Sequence, residues 1–525
     1  MKHLPPLFTI WMLTSVAGFA QSEQEALKAN LDFEKLEWTN PWVNSTNAAG
    51  LATFSTLLPE FTSFSNATLH YDYATGEFRD PLTPPTYTNI GFQTKSIQKL
   101  DDLFLMGYFN YDLSNRLDAQ WNGLYVTGSN PFFMADSVKG RFRSETFSAG
   151  MKIAYPVGKN QTIGLAMDYR VGRGAKSKDL RHNNHYNDFV IRPSWMLKLP
   201  TLTIGATVGW NRTRETISYS QVADGAQWFF FMNGNWFFQN EPFSSNSDNS
   251  RNKMDNAFDG YVQLQYNGKA FAVYNELGME LAQGNQYNSL SNNKQFGDVE
   301  TTTIKNRLVI HAFENHQLSV GVQYRYGLGY GVLQEYLYDS IVNSYVWTTF
   351  DRLTLFESIE STQSVVYSYL SRRDGGMDIR WQIDAGLTLF QREQVFRELP
   401  LIHTQTLSTT EVFAAFNKNL KFGKSSIDVR PLLAYGTGDG IKNAIQGGTP
   451  NPTNTKQLTA EMEREFDALT CDRLRMQLML RYSHTLGDAG RKAFAFVNYD
   501  FVKPFNDRFK NDNRSFLTFG VGLSF

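Results

Sequence analysis

The chain has 525 residues, with 50 Lys and Arg against 51 Asp and Glu, a single cysteine, and 41 Phe, 25 Tyr and 10 Trp. Charge so close to balance excludes a nucleic-acid surface, which needs a basic surplus to meet phosphates, and a mean hydropathy of -0.38 excludes a bundle of membrane helices, each needing about 20 consecutive apolar residues. The lone Cys471 excludes an internal disulfide and any Cys-based zinc or redox site, which leaves a β-rich soluble protein or a membrane β-barrel.

At the N-terminus, Lys2 precedes an apolar stretch from Leu7 to Phe19, and Gly18 and Ala20 occupy the small-residue positions of a cleavage site. Residues 1–20 are therefore expected to be a secretory signal peptide. Residues 21–60 form a distinct region. Glu23 to Trp38 has helical composition and Asn47-Ala48-Ala49-Gly50-Leu51 follows, consistent with a periplasmic arm, a plug inside a lumen, or a frayed tail.

From residue 61 to 525 the chain alternates. Ile163, Leu165, Met167, Tyr169 and Val171 are separated by Gly164, Ala166, Asp168 and Arg170; Leu202 to Trp210, Leu318 to Tyr326 and Leu474 to Tyr482 repeat the pattern. It runs to the end of the chain, where Leu517, Phe519, Val521, Leu523 and Phe525 alternate with Thr, Gly, Gly and Ser. Period two places one apolar and one polar face on each strand. In hydrocarbon every backbone group must bond internally, so such a sheet spans only by closing. Tyr155, Tyr169, Trp210, Tyr326 and Tyr482 end apolar faces, where an aromatic girdle would meet headgroups. A terminal Phe525 with apolar residues two, four, six and eight positions earlier resembles the assembly signal of Gram-negative outer-membrane barrels, so outer-membrane lipid and the barrel assembly machinery are the implied partners.

Link lengths set the orientation. Short links are expected at Pro156 to Asn160, Lys198 to Pro200, Asn267-Gly268, Phe313 to His316, Arg372 to Gly376, Asn419 to Lys424 and Gly487 to Arg491. Long polar connections are expected near 127–144, 173–186, 213–256, 283–301, 331–361 and 437–456. Short periplasmic turns and long extracellular loops are the usual barrel asymmetry. The count is about 18 strands within a range of 14 to 20, the ambiguity lying before residue 115. The connection 213–256 carries Trp228-Phe229-Phe230-Phe231 and Trp236-Phe237-Phe238, either a contact surface for sugar, lipid or protein, or a girdle or loop packed over the barrel mouth.

Several segments resemble an uncharacterised family of Bacteroidota outer-membrane barrels: Asn130-Pro131-Phe132 with Asp136-Ser137, Asp168-Tyr169-Arg170-Val171-Gly172 continuing to Ala175-Lys176, and Asp179-x-Arg181 with Asn183. Leu180 and His182 stand where that pattern has prolines. The resemblance implies an accessory role in nutrient uptake beside TonB-dependent receptors or surface lipoproteins. Asn130, Asp136, Lys176, Asp179 and Arg181 fall on expected extracellular loops and form a candidate ligand or partner rim, the alternative being that they tie down loop backbone.

No catalytic set assembles from the sequence. GxSxG and HExxH are absent, and His182 and His185 lack an acidic third metal ligand at a recognisable spacing, so neither enzyme, cofactor nor metal is expected. Asp168, Arg170, Arg325, Asp378, Arg380, Asp384, Asp428, Arg430, Arg473, Arg475 and Arg481 are expected to point into the lumen, either as opposed rows that select solutes or as pairs that satisfy one another across a closed interior. With a signal peptide removed, the chain is short for 22 strands and a plug domain, which disfavours a TonB-dependent transporter. The sequence thus points to a monomeric outer-membrane β-barrel. A diffusion channel is the leading reading, a receptor's binding or assembly partner the second, and a membrane hydrolase the third.

Overall fold

The computed structural model describes residues 33–54, 62–128, 130–225, 227–243, 250–288, 294–313, 315–372, 379–448, 458–487 and 491–525. The expected signal peptide lies outside them, as does Asp378. In chain order the strands begin with β1 (Ser63–Thr75), β2 (Thr86–Leu100), β3 (Leu103–Ala119), β4 (Phe132–Ala135), β5 (Gly140–Pro156), β6 (Gln161–Lys176) and β7 (Arg181–Lys198). They continue with β8 (Leu202–Ser220), β9 (Trp228–Gly234), β10 (Phe237–Pro242), β11 (Ser250–Asn267), β12 (Phe271–Asn288), β13 (Gln295–Ala312) and β14 (His316–Asp339). The last are β15 (Ser344–Arg372), β16 (Ile379–Glu398), β17 (Leu401–Phe422), β18 (Ser425–Gln446), β19 (Arg473–Leu486), β20 (Arg491–Pro504) and β21 (Arg514–Ser524).

All but β4, β9 and β10 join one antiparallel sheet of 18 strands, each paired with its neighbours along the chain. The sheet closes where β21 pairs with β1, from Asn66↔Ser524 to Thr75↔Ser515. Phe525 extends the seam by exchanging backbone bonds with Ser65 at 2.8 and 2.9 Å. Closure leaves no free edge, as a transmembrane β-barrel requires. The outer face is an apolar belt in which Leu69, Val208 and Phe258 are 53%, 63% and 64% exposed, a pattern that suits hydrocarbon rather than water.

The expected short links at Pro156 to Asn160, Lys198 to Pro200, Asn267-Gly268 and Asn419 to Lys424 join consecutive strands at one rim, while those at Phe313 to His316, Arg372 to Gly376 and Gly487 to Arg491 lie partly outside the described residues. Gly423 and Gly487 take the left-handed φ values of 59° and 62° that tight turns need. At the opposite rim several expected long loops prove to be strand. β6 and β7 continue to within four residues of each other across 173–186, and β14 and β15 form a hairpin through 331–361. Backbone pairing needs no apolar side chains, so strands run on past the belt in polar sequence where hydropathy gives no sign of them. Beyond the expected connection 437–456, a helix over Thr459–Thr470 precedes β19, an element that the sequence pattern did not show.

Among the described residues, two pieces of chain lie inside the barrel. Residues 33–54, comprising helix α1 (Phe33–Thr39) and a 3-10 turn at Ala48–Thr53, lie in the lumen toward the short-turn rim. At the other rim, β4, β9 and β10 form a small sheet that packs with helix α2 (Thr459–Thr470) as an inward-folded cap.

Candidate functional site in the lumen

The lumen segment is held by both packing and hydrogen bonds. Phe33, Leu36, Trp42, Val43, Ala49, Leu51 and Phe54 form one buried cluster with Phe64, Ile97, Phe104, Met106, Ala154, Met196, Tyr274 and Val309 from the wall. Those wall residues come from β1, β2, β3, β5, β7, β12 and β13, so the segment bridges much of the barrel's circumference. Glu276 is the polar hub: its carboxylate accepts from Ser45 Oγ at 2.5 Å, Thr46 N at 3.1 Å, Gln263 Nε2 at 3.1 Å and Tyr274 OH at 3.1 Å. Lys152 Nζ donates to the carbonyls of Val43 and Ser45 at 3.1 and 2.7 Å, and Lys95 pairs with Glu37 at 2.7 Å. Asn47 Nδ2 donates to Trp195 O at 3.0 Å. Gly164 and Gly205 face this segment, and only their lack of a side chain admits it. A Cβ on Gly164 would lie 2.3 Å from Ala49 N, and one on Gly205 2.6 Å from Asn47 Nδ2.

The cap is built from the aromatic stretch. Phe229, Phe231, Trp236 and Phe237 are buried whereas Trp228 is exposed, so the stretch is chiefly a loop packed into the mouth. Phe237 stacks on Phe396 with ring centroids 4.1 Å apart, Tyr219 OH donates to Met134 O at 3.0 Å, and Glu465 of α2 takes the Trp236 indole N–H. Beneath the cap, the buried Glu215 accepts from Tyr125 N at 2.7 Å and Asn184 Nδ2 at 2.6 Å, fixing the 121–128 loop against the wall.

The five rim candidates are distributed along this cap. Asn130, Asp136, Lys176 and Asp179 are buried, while Arg181 is exposed. Lys176 Nζ meets Asp136 Oδ1 at 2.5 Å and Val138 O at 2.6 Å, and Asn130 Oδ1 accepts from Phe132 N at 2.8 Å. Asp179 accepts from Ala223 N at 2.6 Å, Val222 N at 3.0 Å and Arg181 Nε at 2.8 Å. Burial pushes the Asp136 carboxyl up despite the opposing pull of Lys176. The backbone N–H groups of Ala223 and Val222, with Arg181, hold the Asp179 carboxyl below the usual carboxylate range. The Lys176–Asp136 and Asp179–Ala223 contacts bind loop to loop, whereas the Asn130 bond to Phe132 is a local Asx-type bond that the residue type itself favours.

Alternation places the described lumen candidates on the inner face. They meet local partners rather than forming opposed rows. Asp168 accepts from Tyr108 OH at 2.7 Å, Arg170 lies 5.5 Å from the Tyr186 ring, and Arg325 faces Glu360 at 3.8 Å. Asp384 accepts from Gln382 and Asp428 from Asn419, at 2.7 and 2.8 Å. Arg473 pairs with Glu411 at 3.3 Å and Arg475 with Asp500 at 2.6 Å, while Arg481 lies 4.3 Å from the Phe494 ring. Arg380 and Arg430 share this inner face by register. The sequence reading missed Lys152, Gln263 and Glu276. Each stands at an inward position, but nothing local to it announces a partner in residues 33–54. It also missed a polar knot on β1 to β3, where Asn89 Nδ2 donates to both Asp72 and Asp112 at 3.0 Å beside His70.

With the closed barrel and its N-terminal occupant established, the family follows from a match over residues 52–525. The chain belongs to a family of unknown function, DUF6850. No curated protein matches the sequence. Among solved structures, this DUF6850 chain is similar to the ferric citrate transporter FecA, with a TM-score of 0.41 and 10% identity over 88% of this chain and 79% of that one. It is similar to the ferric enterobactin receptor PfeA from Pseudomonas aeruginosa, with a TM-score of 0.40 and 10% identity over 88% and 80%. For the ferric preacinetobactin receptor BauA from Acinetobacter baumannii the TM-score is 0.38, with 9% identity over 88% and 80%. Likeness at this level carries no argument about what the chain does.

Proposed function

We propose that this protein is a plugged barrel of the Gram-negative outer membrane that serves nutrient uptake as a gated conduit. The carrying observation is the lumen segment 33–54, anchored to Glu276, Lys152 and Lys95 on separate strands. A free diffusion channel has no use for a buried cluster packed inside its bore. The paired lumen charges support the same reading, because a passage for charged solutes works through unneutralised rows. The proposal includes no catalytic step.

The test is single-channel recording in planar bilayers with the refolded full chain and with a variant lacking residues 33–54, both checked for heat-modifiable migration. The full chain is expected to stay silent and the deletion to conduct steadily. Steady ohmic conductance from the full chain would refute the proposal.

A second reading, a docking partner for a TonB-dependent receptor or surface lipoprotein, is favoured by the hairpin of β14 and β15. Beyond Tyr330 and below Phe356 its strands pair, among the described residues, only with each other, projecting roughly 30 Å at about 3.4 Å per residue. Its tip exposes Ile341, Val342, Tyr345 and Phe350. Removing 333–352 should abolish co-purification of such a partner from native membranes, and undiminished co-purification would sink this reading.

A further inference from the structure

A cavity of about 200 Å³ lies between the cap and the wall strands β13 to β16. The cap contributes Asn235 and Trp236 from the β9–β10 turn and Glu465 from α2; the wall contributes Arg325, Ser358 and Arg392. Asn235 is only 8% exposed, yet neither its Oδ1 nor its Nδ2 has a hydrogen-bond partner among the described residues. Ser358 Oγ and Arg392 Nε are buried and unpartnered in the same sense. Buried polar groups are almost always bonded, so several unanswered ones around a single cavity mark a place where something else answers them.

The turn alone does not account for Asn235. Its φ of 46° suits asparagine, but the following Trp236 also sits at a left-handed 63°, where a bulky residue is uncommon. Trp236 is held there by its indole bond to Glu465. Asn235 is therefore held at the cavity wall by a turn whose conformation the cap enforces.

The chemistry of the lining specifies the ligand. Both guanidinium groups already have carboxylates: Arg392 Nη1 lies 2.9 Å from Glu465 and Arg325 lies 3.8 Å from Glu360. Charge is balanced, so a charged solute finds no counter-ion in excess. The amide offers a donor and an acceptor side by side, Ser358 offers a hydroxyl, and Gln394 a second amide. Phe133, Met232 and Phe356 supply apolar surface to the same cavity. Adjacent hydroxyls on a ring with apolar C–H faces match this arrangement. We infer that the pocket beneath the cap binds one neutral sugar unit, with the Asn235 amide and Ser358 hydroxyl as its principal contacts. This goes beyond the uptake proposal and holds whether or not the barrel conducts.

The test is saturation-transfer NMR on the refolded full chain in a non-glycosidic detergent. The probes are glucose, galactose, mannose and N-acetylglucosamine, compared with gluconate, glucosamine and dialanine. At least one neutral sugar is expected to bind saturably and at least tenfold more tightly than every charged probe and the dipeptide. Asn235→Gly keeps the left-handed turn while deleting the amide, and should weaken that sugar at least tenfold; Ser358→Ala should weaken it too. Tyr336→Ala, out on the hairpin, should leave it unchanged. Absence of saturable binding by every neutral sugar overturns the inference, as does preference for a charged probe or dialanine. Undiminished binding by folded Asn235→Gly overturns it as well. The comparison of probes on the unaltered chain decides the matter even if a variant fails to fold.

Discussion

Gly164→Ala tests the plug with a single methyl group. A Cβ at this position would lie 2.3 Å from Ala49 N, 2.7 Å from Ala48 C and 2.8 Å from Ser194 Oγ, whereas ordinary contact begins at 3.4 Å. The two nearest atoms are backbone and cannot rotate away, so the 3-10 turn must retreat by about 1 Å, a forced overpacking that costs about 1–3 kcal/mol. Retreat also strains the bond from Ala49 N to Ser194 Oγ, now 3.2 Å long. A difference of that size changes an equilibrium about 5- to 150-fold, so the fraction of time the plug spends unseated should rise by that factor. Single-channel recording reads it directly, as brief openings absent from the parent. Gly260→Ala is the control, because a Cβ there meets nothing within 4 Å, and it should leave the record silent. Identical traces from Gly164→Ala, Gly260→Ala and the parent would refute the claim that this turn occludes the path.

Leu478 is 43% exposed on the apolar belt, and Leu478→Arg should cost about 2–4 kcal/mol near the midplane; normal heat-modifiable folding would contradict the face assignment. Removing Phe525 deletes two backbone bonds to Ser65 at the closing seam and should lower the yield of assembled barrel, measured by the same gel shift. Lys176→Met leaves Asp136 buried without its cation, a change costing about 3–5 kcal/mol, and adding Asp136→Leu should restore most of the loss in urea unfolding. If the single variant unfolds with the parent, the pair contributes nothing to the cap. Asp179 has its folded pKa below the ordinary carboxylate value, so its stabilisation is complete above that ordinary value and is lost as pH falls through the depressed one. Protection of the Val222 and Ala223 amides from hydrogen exchange should therefore persist into mild acid and collapse only in strong acid, whereas Asp179→Ala should lose it at every pH. Loss of protection between neutral and mildly acidic pH in the parent would contradict the sign.

The parts of this fold legible in the sequence are those that a single local rule governs. Lipid demands an apolar residue at every second position, so Leu474 to Tyr482 and Leu517 to Phe525 declare their outer face without reference to any other strand. Tight turns declare themselves in the same way, as at Asn267-Gly268. Beyond the belt the rule lapses, and β6 runs to Lys176 unannounced. Some contacts were readable one step further on. Arg475 and Asp500 are diagonal neighbours once the β19–β20 turn is fixed, because Arg475 pairs with Val502 and Gln477 with Asp500. For residues 21–60 a plug was one of three open readings, and its seat on the wall was beyond such reasoning. The small residues at Asn47-Ala48-Ala49-Gly50 gain their meaning only from Gly164 and Gly205, more than a hundred residues away on strands where a glycine is otherwise unremarkable. For the rim, residue type could not discriminate at all. Asp179 and Asn130 use on loop backbone the same oxygens they would have offered to a ligand, and which of the two they meet depends on where neighbouring loops fold. That ambiguity does not extend to Asn235, whose amide the fold buries beside a cavity and leaves unmet. The residues that satisfied a loop are thus separated from the one that did not by their unmade bonds, a distinction available only once every neighbour has a place.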